Sequence, residues 1–301
     1  MFRDKAVTAP MNGIAELHPG KVFALQNIIE LDGRVAHYPV SARGFAPCHC
    51  YLLREDDGAL LVDTGFAAHG AMMISQLESL VGQTIPLSLT MMRINDFMSV
   101  GNSLVIARHF RIEQCYGMTQ NAARSLDFSS HTVEEAAENV ALLPLKLITG
   151  NEWIEVGHSG RRKVKLNQSP MRLINTRWMY DPESRILFTS DMFAHSWGQQ
   201  PDETWFIDAG NDATTEEDVR RFLLSTRYWW LEGAKTDDLR QGIDRIFEQF
   251  DVQAIAPSYG KILRGGNVVA RHHRMLDEVL RKLDRRCTPP RYVARNEEHY
   301  A

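Results

Sequence analysis

Two hydrophobic periods alternate along the chain. Val22 to Ile29, Cys48 to Leu53 and Leu60 to Asp63 are short apolar runs of strand length, bounded by turn or charged residues. From about His69 the period changes. Met73, Leu77 and Leu80 recur at four and three residues and predict a helix with one buried face. Leu87 to Met91 is again a continuous apolar run, a buried strand. Thr132-x-x-Glu135 has the spacing of a capping box, in which each side chain satisfies an otherwise free backbone N–H, and predicts a helix to about Leu143. Thr214-x-x-Glu217 repeats the device before a helix reaching Arg227. Leu239, Ile243, Phe247 and Phe250 mark another amphipathic helix, and Val269, Met275, Val279 and Leu283 a basic last one. Pro10, Gly13, Pro19 and Gly20 make residues 1–20 read as loop, and Pro289 and Pro290 send the tail, 286–301, across the surface. Strands and helices alternate in both halves of 21–285, as expected of one domain with helices on the outer faces of two packed sheets.

Composition narrows the class. A chain of 301 residues, 44% hydrophobic and 24% charged, has the make-up of a globular protein with a sizeable core. A net charge of −4 gives no general attraction to nucleic acid or anionic membrane. No apolar run approaches the roughly 20 residues needed to span a bilayer, and Met1-Phe2-Arg3-Asp4-Lys5 lacks the apolar core of a signal peptide. Cys48, Cys50, Cys115 and Cys287 are too few and too scattered for a disulfide framework, so a cytoplasmic location is expected.

Three segments carry more information than the periods do. They are Ala59-Leu60-Leu61-Val62-Asp63-Thr64-Gly65, the stretch from Tyr180-Asp181-Pro182-Glu183 to Thr189-Ser190-Asp191, and Ile255-Ala256-Pro257-Ser258-Tyr259-Gly260-Lys261-Ile262. Together they resemble signature segments of the metallo-β-lactamase fold over roughly residues 21 to 266, closest to its flavodiiron and oxygen-binding diiron branch. The resemblance implies an α/β, four-layer αββα sandwich with metal ligands in four loops at one edge.

Most of those ligands are replaced. The family's first loop reads His-x-Glu-x-Asp-His. Here Met92, Ile94 and Phe97 stand at the two histidines and the glutamate, and only Asp96 is kept. Ser169-Pro170-Met171-Arg172 aligns with the second loop and puts Arg172 at its histidine. The bridging aspartate is kept as Asp191, and the last histidine is Tyr259. Two of seven ligand positions remain. A catalytic divalent ion usually needs at least three protein ligands supplying imidazole nitrogen or carboxylate oxygen. Met, Ile and Phe do not supply them, and a guanidinium repels a cation.

These losses predict that no metal is held by this chain, with an improvised mononuclear site on Asp96, Asp191 and His195 as the remaining possibility. Without cations, Asp96 and Asp191 would be buried negative charges lacking compensation. The expectation is an Arg172–Asp191 pair, joined by Asp96 and the Tyr259 hydroxyl, in the old metal cavity. Arg93, Asp96, Arg172, Asp191, His195 and Tyr259 are thus the candidate catalytic residues of a refilled cavity. His195 is a candidate general base. The sandwich without a flavodoxin-like domain implies no FMN.

Other motifs have plain readings. Cys48-His49-Cys50 fits a strand with both thiols on one face and His49 on the other. His272-His273 lies on a basic helix and reads as solvated. Arg227-Tyr228-Trp229-Trp230 could line an aromatic pocket, anchor an interface or pack in a core.

Two function classes stay open. In one, the chain is a metal-deficient subunit of a hetero-oligomeric hydrolase, and a homologous partner bears the divalent metal. The substrate would be a small organic molecule, nitroaryl methyl ethers being one form. In the other, it is a metal-independent hydrolase or small-molecule binder using the refilled cavity, with self-association also open. An oxygen-reducing diiron protein is the family default, and the ligand losses speak against it.

Overall fold

The computed structural model describes residues 13–93, 96–118, 132, 134–135, 138, 141–171 and 175–292. The first sheet runs β1 (Ile14–His18), β2 (Val22–Glu30), β3 (Phe45–Glu55), β4 (Gly58–Val62), β5 (Leu87–Thr90), β6 (Ile112–Gly117) and β7 (Leu145–Leu147), in that spatial order. Its first three pairings are antiparallel and its last three parallel. The second sheet holds β8 (Glu152–Val156), β9 (Arg162–Gln168), β10 (Arg177–Asp181), β11 (Ile186–Ser190), β12 (Phe206–Ile207), β13 (Ala254–Pro257) and β14 (Ile262–Arg264), in the order β12-β14-β13-β11-β10-β9-β8.

Side-chain alternation builds the layers. Tyr51, Leu53, Leu60 and Val62 of the first sheet share one apolar cluster with Val164, Leu166, Met179 and Phe188 of the second, the core between the sheets. Their strand neighbours Cys50, Leu52, Leu61 and Leu187 belong to the other cluster, with the helices. They include α1 (Gly70–Val81), α2 (Phe97–Val100), α3 (Ser103–His109), α4 (Glu216–Leu224), α5 (Asp237–Gln249) and α6 (Gly266–Leu283). On α1, Met73 and Leu77 are buried, as their spacing predicts. Among the described residues no helix is long and apolar enough to cross a membrane.

Three local expectations are corrected. Residues 14–18, within the predicted N-terminal loop, form β1 against β2, with Ile14 opposite Leu25. Gly13 and Gly20, at φ +65° and +66°, end that strand rather than dissolving it. The second capping box is Thr215 with Asp218, one residue beyond Thr214 and Glu217. Its helix α4 stops at Leu224, short of Arg227, where the Thr226 hydroxyl donates back to the Phe222 carbonyl at 2.6 Å. The Thr132–Glu135 box is reciprocal, at 3.2 and 3.1 Å. Most of the helix expected beyond it lies outside the described residues.

Parallel pairs β4–β5 and β11–β13 end at the same edge. The segments leaving them carry Asp63, Met92 to Asp96, Asp191 and Tyr259. The Asp63 carboxylate accepts from the Met92 N–H at 2.8 Å and the Ser258 hydroxyl at 3.1 Å, tying three of these segments together. Met92 also accepts through its carbonyl from the Arg177 N–H at 2.9 Å, which joins the two sheets beside Arg93.

Candidate functional site

Asp191, at the end of β11, is almost wholly buried. Its Oδ2 is 2.6 Å from Arg93 Nη1 and 3.3 Å from Arg227 Nη1. Arg93 Nη2 also lies 3.1 Å from Asp96 Oδ1, and Arg227 Nη1 3.7 Å from Asp96 Oδ2. Two guanidiniums therefore hold two carboxylates at the strand edge. Asp96 has a second duty, because its Oδ1 accepts from the Met98 N–H at 3.0 Å and caps α2.

Aromatic rings enclose this cluster. His37, from the β2–β3 connection, places Nδ1 3.4 Å from Asp191 Oδ1 and stacks on Tyr259 at 4.3 Å between centroids. The Arg93 guanidinium sits 5.9 Å from the centre of the Tyr259 ring, within cation–π range. Burial alone would raise the Asp191 carboxyl, but Arg93, His37 and Arg227 outweigh it and hold it well below the usual carboxylate range. Burial likewise opposes the charge on Arg93, yet Asp191 and Asp96 keep the guanidinium firmly protonated. His37 is pushed down, chiefly by burial, and is neutral near pH 7. The cluster is thus two cations against two anions.

No protein-family model matches the chain, and no curated protein is recognisably similar to it. Solved structures do match. Rubredoxin oxygen:oxidoreductase from Desulfovibrio gigas superposes with a TM-score of 0.63 at 15% identity, over 89% of this chain and 62% of that one. A point mutant of the flavo di-iron protein from Thermotoga maritima gives 0.64 at 14%, over 90% and 63%. A metallo-β-lactamase from Pontibacter korlensis gives 0.51 at 13%, over 87% of this chain and 97% of that one. The chain has the metallo-β-lactamase fold. It spans less than two thirds of the flavodiiron structures, and identities this low speak to fold alone.

Within that fold, the residues present do not fit a dimetal centre. Of the family's ligand positions described here, Met92, Phe97 and Tyr259 offer thioether, phenyl and phenol. The two carboxylates that remain are both engaged by arginine. Among the described residues no group of three or more His, Cys, Asp or Glu side chains is placed to hold a metal ion. A cation beside Asp191 would have to displace a buried guanidinium 2.6 Å away.

The geometry unites four of the six sequence candidates: Arg93, Asp96, Asp191 and Tyr259. Arg172 lies outside the described residues. Among the described residues, Arg93 and Arg227 bring positive charge to Asp191. His195 is not bonded to this cluster. Phe222 packs against both His37 and His195, with ring centroids at 5.2 and 6.2 Å, and stands next to each. Arg227 and His37 were missed as site residues. Arg227 drew notice only for the aromatics that follow it, and His37 sits in a loop with no period to mark its direction.

Other motifs resolve as follows. Cys48 and Cys50 face the helix side and His49 the opposite side, as the alternation predicts. His49 bonds the Gly260 carbonyl at 2.7 Å, and burial lowers it to about 4. The solvated reading of His272-His273 is corrected. His272 is fully buried and bonded to His195 and Asp212, while His273 stacks on Phe247 at 4.2 Å and contacts Asp244. A signal was present, since His272 continues the buried i, i+4 row of Val268 and Leu276.

The aromatic run divides. Tyr228 is core, whereas Trp229 and Trp230 are 43% and 39% exposed. Arg227 and Trp229 border a cleft of about 310 Å³ with Ala36, Thr226 and Tyr292. Trp229 meets Tyr292 edge-on at 5.6 Å. An aromatic lip thus stands over the outer guanidinium of the ion cluster.

Proposed function

We propose that this chain is a metal-deficient subunit of a hetero-oligomeric hydrolase acting on a small organic substrate, with the catalytic metal carried by a homologous partner subunit. One observation carries the reading. Both surviving carboxylates of the metal-ligand set are neutralised by Arg93 and Arg227, so the edge of the fold where a metal would act is filled by fixed charge. A chain of this kind keeps the fold's outer surfaces for association. Trp229, Trp230 and Tyr292 add exposed aromatic area beside the filled site, the residue class that anchors protein interfaces. An activated aryl ether is one substrate an aromatic lip at a subunit boundary would suit.

A second reading is favoured by the cleft itself. Arg227 is a quarter exposed and lines it, so a small molecule could meet a guanidinium between aromatic walls and be bound or turned over without metal.

Elemental analysis of the native complex and of the lone chain separates the readings. Metal in a co-purifying homologous chain, with none in this one, supports the subunit role. Hydrolysis by the lone chain in chelator supports the second reading and ends the first. About one or two equivalents of metal in the lone chain would overturn both.

A further inference from the structure

A second polar chain runs through the helical layer, apart from the ion cluster. Asp212 lies within 3.2 and 3.3 Å of His272 Nε2, and His272 Nδ1 lies 3.0 Å from His195 Nε2. The two imidazoles stack at 5.0 Å with an interplanar angle of 15°. Asp212 is itself held by Arg271 and by the Thr214 N–H at 3.1 Å. His195, at the inner end of this chain, lines a cavity of about 270 Å³ with Ser196, Trp197, Gln199, Ile207, Asn211 and Lys261.

The order of donors follows from the chemistry of each group. Burial works against the Asp212 charge, but Arg271, the Thr214 N–H and His272 outweigh it and keep the carboxylate ionised. A carboxylate only accepts, so His272 Nε2 carries the proton and its Nδ1 has the lone pair. Burial lowers both imidazoles, His195 to about 3, so neither is doubly protonated near neutral pH. His195 Nε2 must then donate to His272 Nδ1, which leaves His195 Nδ1 as the bare nitrogen.

We propose that Asp212, His272 and His195 form a tautomer-setting relay that presents His195 Nδ1 as a hydrogen-bond acceptor to an uncharged, hydroxyl-bearing small molecule in this cavity. The walls point to an uncharged ligand because the cations beside it are already matched. Lys261 Nζ is 3.2 Å from Glu203, and Arg271 is paired with Asp212. The Asp218 carboxylate at the cavity edge is spent on its capping box with Thr215. Gln199 and Asn211 offer amides, and Trp197 and Ile207 an apolar wall. His195 Nδ1 accepts a hydrogen bond from the ligand's hydroxyl, and the proton stays on the ligand. The site is separate from the cleft at Arg227, so it stands or falls independently of the subunit reading.

Nitrogen-15 NMR of the full chain with labelled histidine tests this. His195 should show a protonated Nε2 and a pyridine-like Nδ1 at pH 7, and His272 the same pattern. A protonated His195 Nδ1 would overturn the relay. His272→Leu, checked for folding by its melting curve, should release His195 into a mixture of tautomers. Persistence of the single tautomer in that folded variant would also overturn it. Glycerol should move the His195 Nδ1 resonance in the unmutated chain, and sodium acetate at matched ionic strength should not. A response to acetate alone, or to neither, would refute the cavity as a site for uncharged hydroxyl compounds.

Discussion

Arg93 Nη1 and Asp191 Oδ2 meet at 2.6 Å, with the arginine side chain wholly buried. The pair joins the segment after β5 in one sheet to the end of β11 in the other. Arg93→Met should therefore cost far more than the loss of one contact, because it takes the nearest cation from buried Asp191, leaving Arg227 at 3.3 Å, and weakens the hold on Asp96. Breaking one side of a buried pair typically costs about 3–5 kcal/mol. Urea unfolding of the variant measures it, and a change below about 1 kcal/mol would remove the pair from any central structural role.

Removing both charges should be gentler than the sum of the single changes. Asp191→Leu takes from Arg93 its nearest carboxylate, and Arg93→Met in that background no longer uncovers a buried Asp191 charge. The double-mutant cycle should return a coupling of about 0.5–3 kcal/mol. Strict additivity would mean that the two groups act independently in spite of their contact.

Two buried groups should tilt the pH dependence of stability in opposite directions. Burial raises Asp63 from 3.8 to about 6 in the folded chain. The folded state then holds a proton the unfolded state has lost, so this contribution disappears as pH rises from about 4 through 6. Burial lowers His49 from 6.5 to about 4, so its contribution is present above 6.5 and is lost as pH falls toward 4. Asp63→Asn should make stability climb more steeply with pH between 4 and 6, and His49→Gln should flatten it. Each effect is on the order of 3 kcal/mol across the window. Denaturant midpoints at several pH values supply the test, and like-signed changes in the two variants would contradict the assignment.

Divalent ions should leave the melting temperature of the lone chain unchanged. A specific site at a hundred times its Kd would stabilise the folded state by about 2.7 kcal/mol. Zinc, manganese and anaerobic ferrous iron, each compared with chelator, should produce no saturable rise. Such a rise would show a ligand set that the arginine cluster does not block.

Trp229→Ser with Trp230→Ser should separate folding from assembly. Both rings are well exposed, and Trp229 meets Tyr292 edge-on. The stability loss should stay within about 1.5 kcal/mol. Sedimentation of the native complex should show dissociation. Intact assembly in the variant would move the interface elsewhere.

Much of the sandwich was legible because its cause is local. Alternation on β3 put Cys48 and Cys50 on one face and His49 on the other, and the spacing of Met73 and Leu77 marked the inner side of α1. The loss of ligands at Met92, Phe97 and Tyr259 was equally plain, since it depends on residue type alone. What replaced them was harder to see. Arg172, singled out because it occupies a ligand position, lies outside the described residues, while Arg93 reaches Asp191 from between two such positions and Arg227 from beyond the end of α4. Long side chains bring charge to a site from backbones that no motif marks. His272 was misread for a related reason: on a basic helix its type suggested solvent, while its place in the Val268–Leu276 row put it inside.

The arginine cluster changes how this fold matures. A bound metal ion arrives after synthesis, exchanges with its surroundings and leaves when the supply falls. Arg93 and Arg227 are translated with the chain and have no dissociation rate. Closure of the two sheet edges at Asp191 therefore rests on groups that arrive with the polypeptide itself.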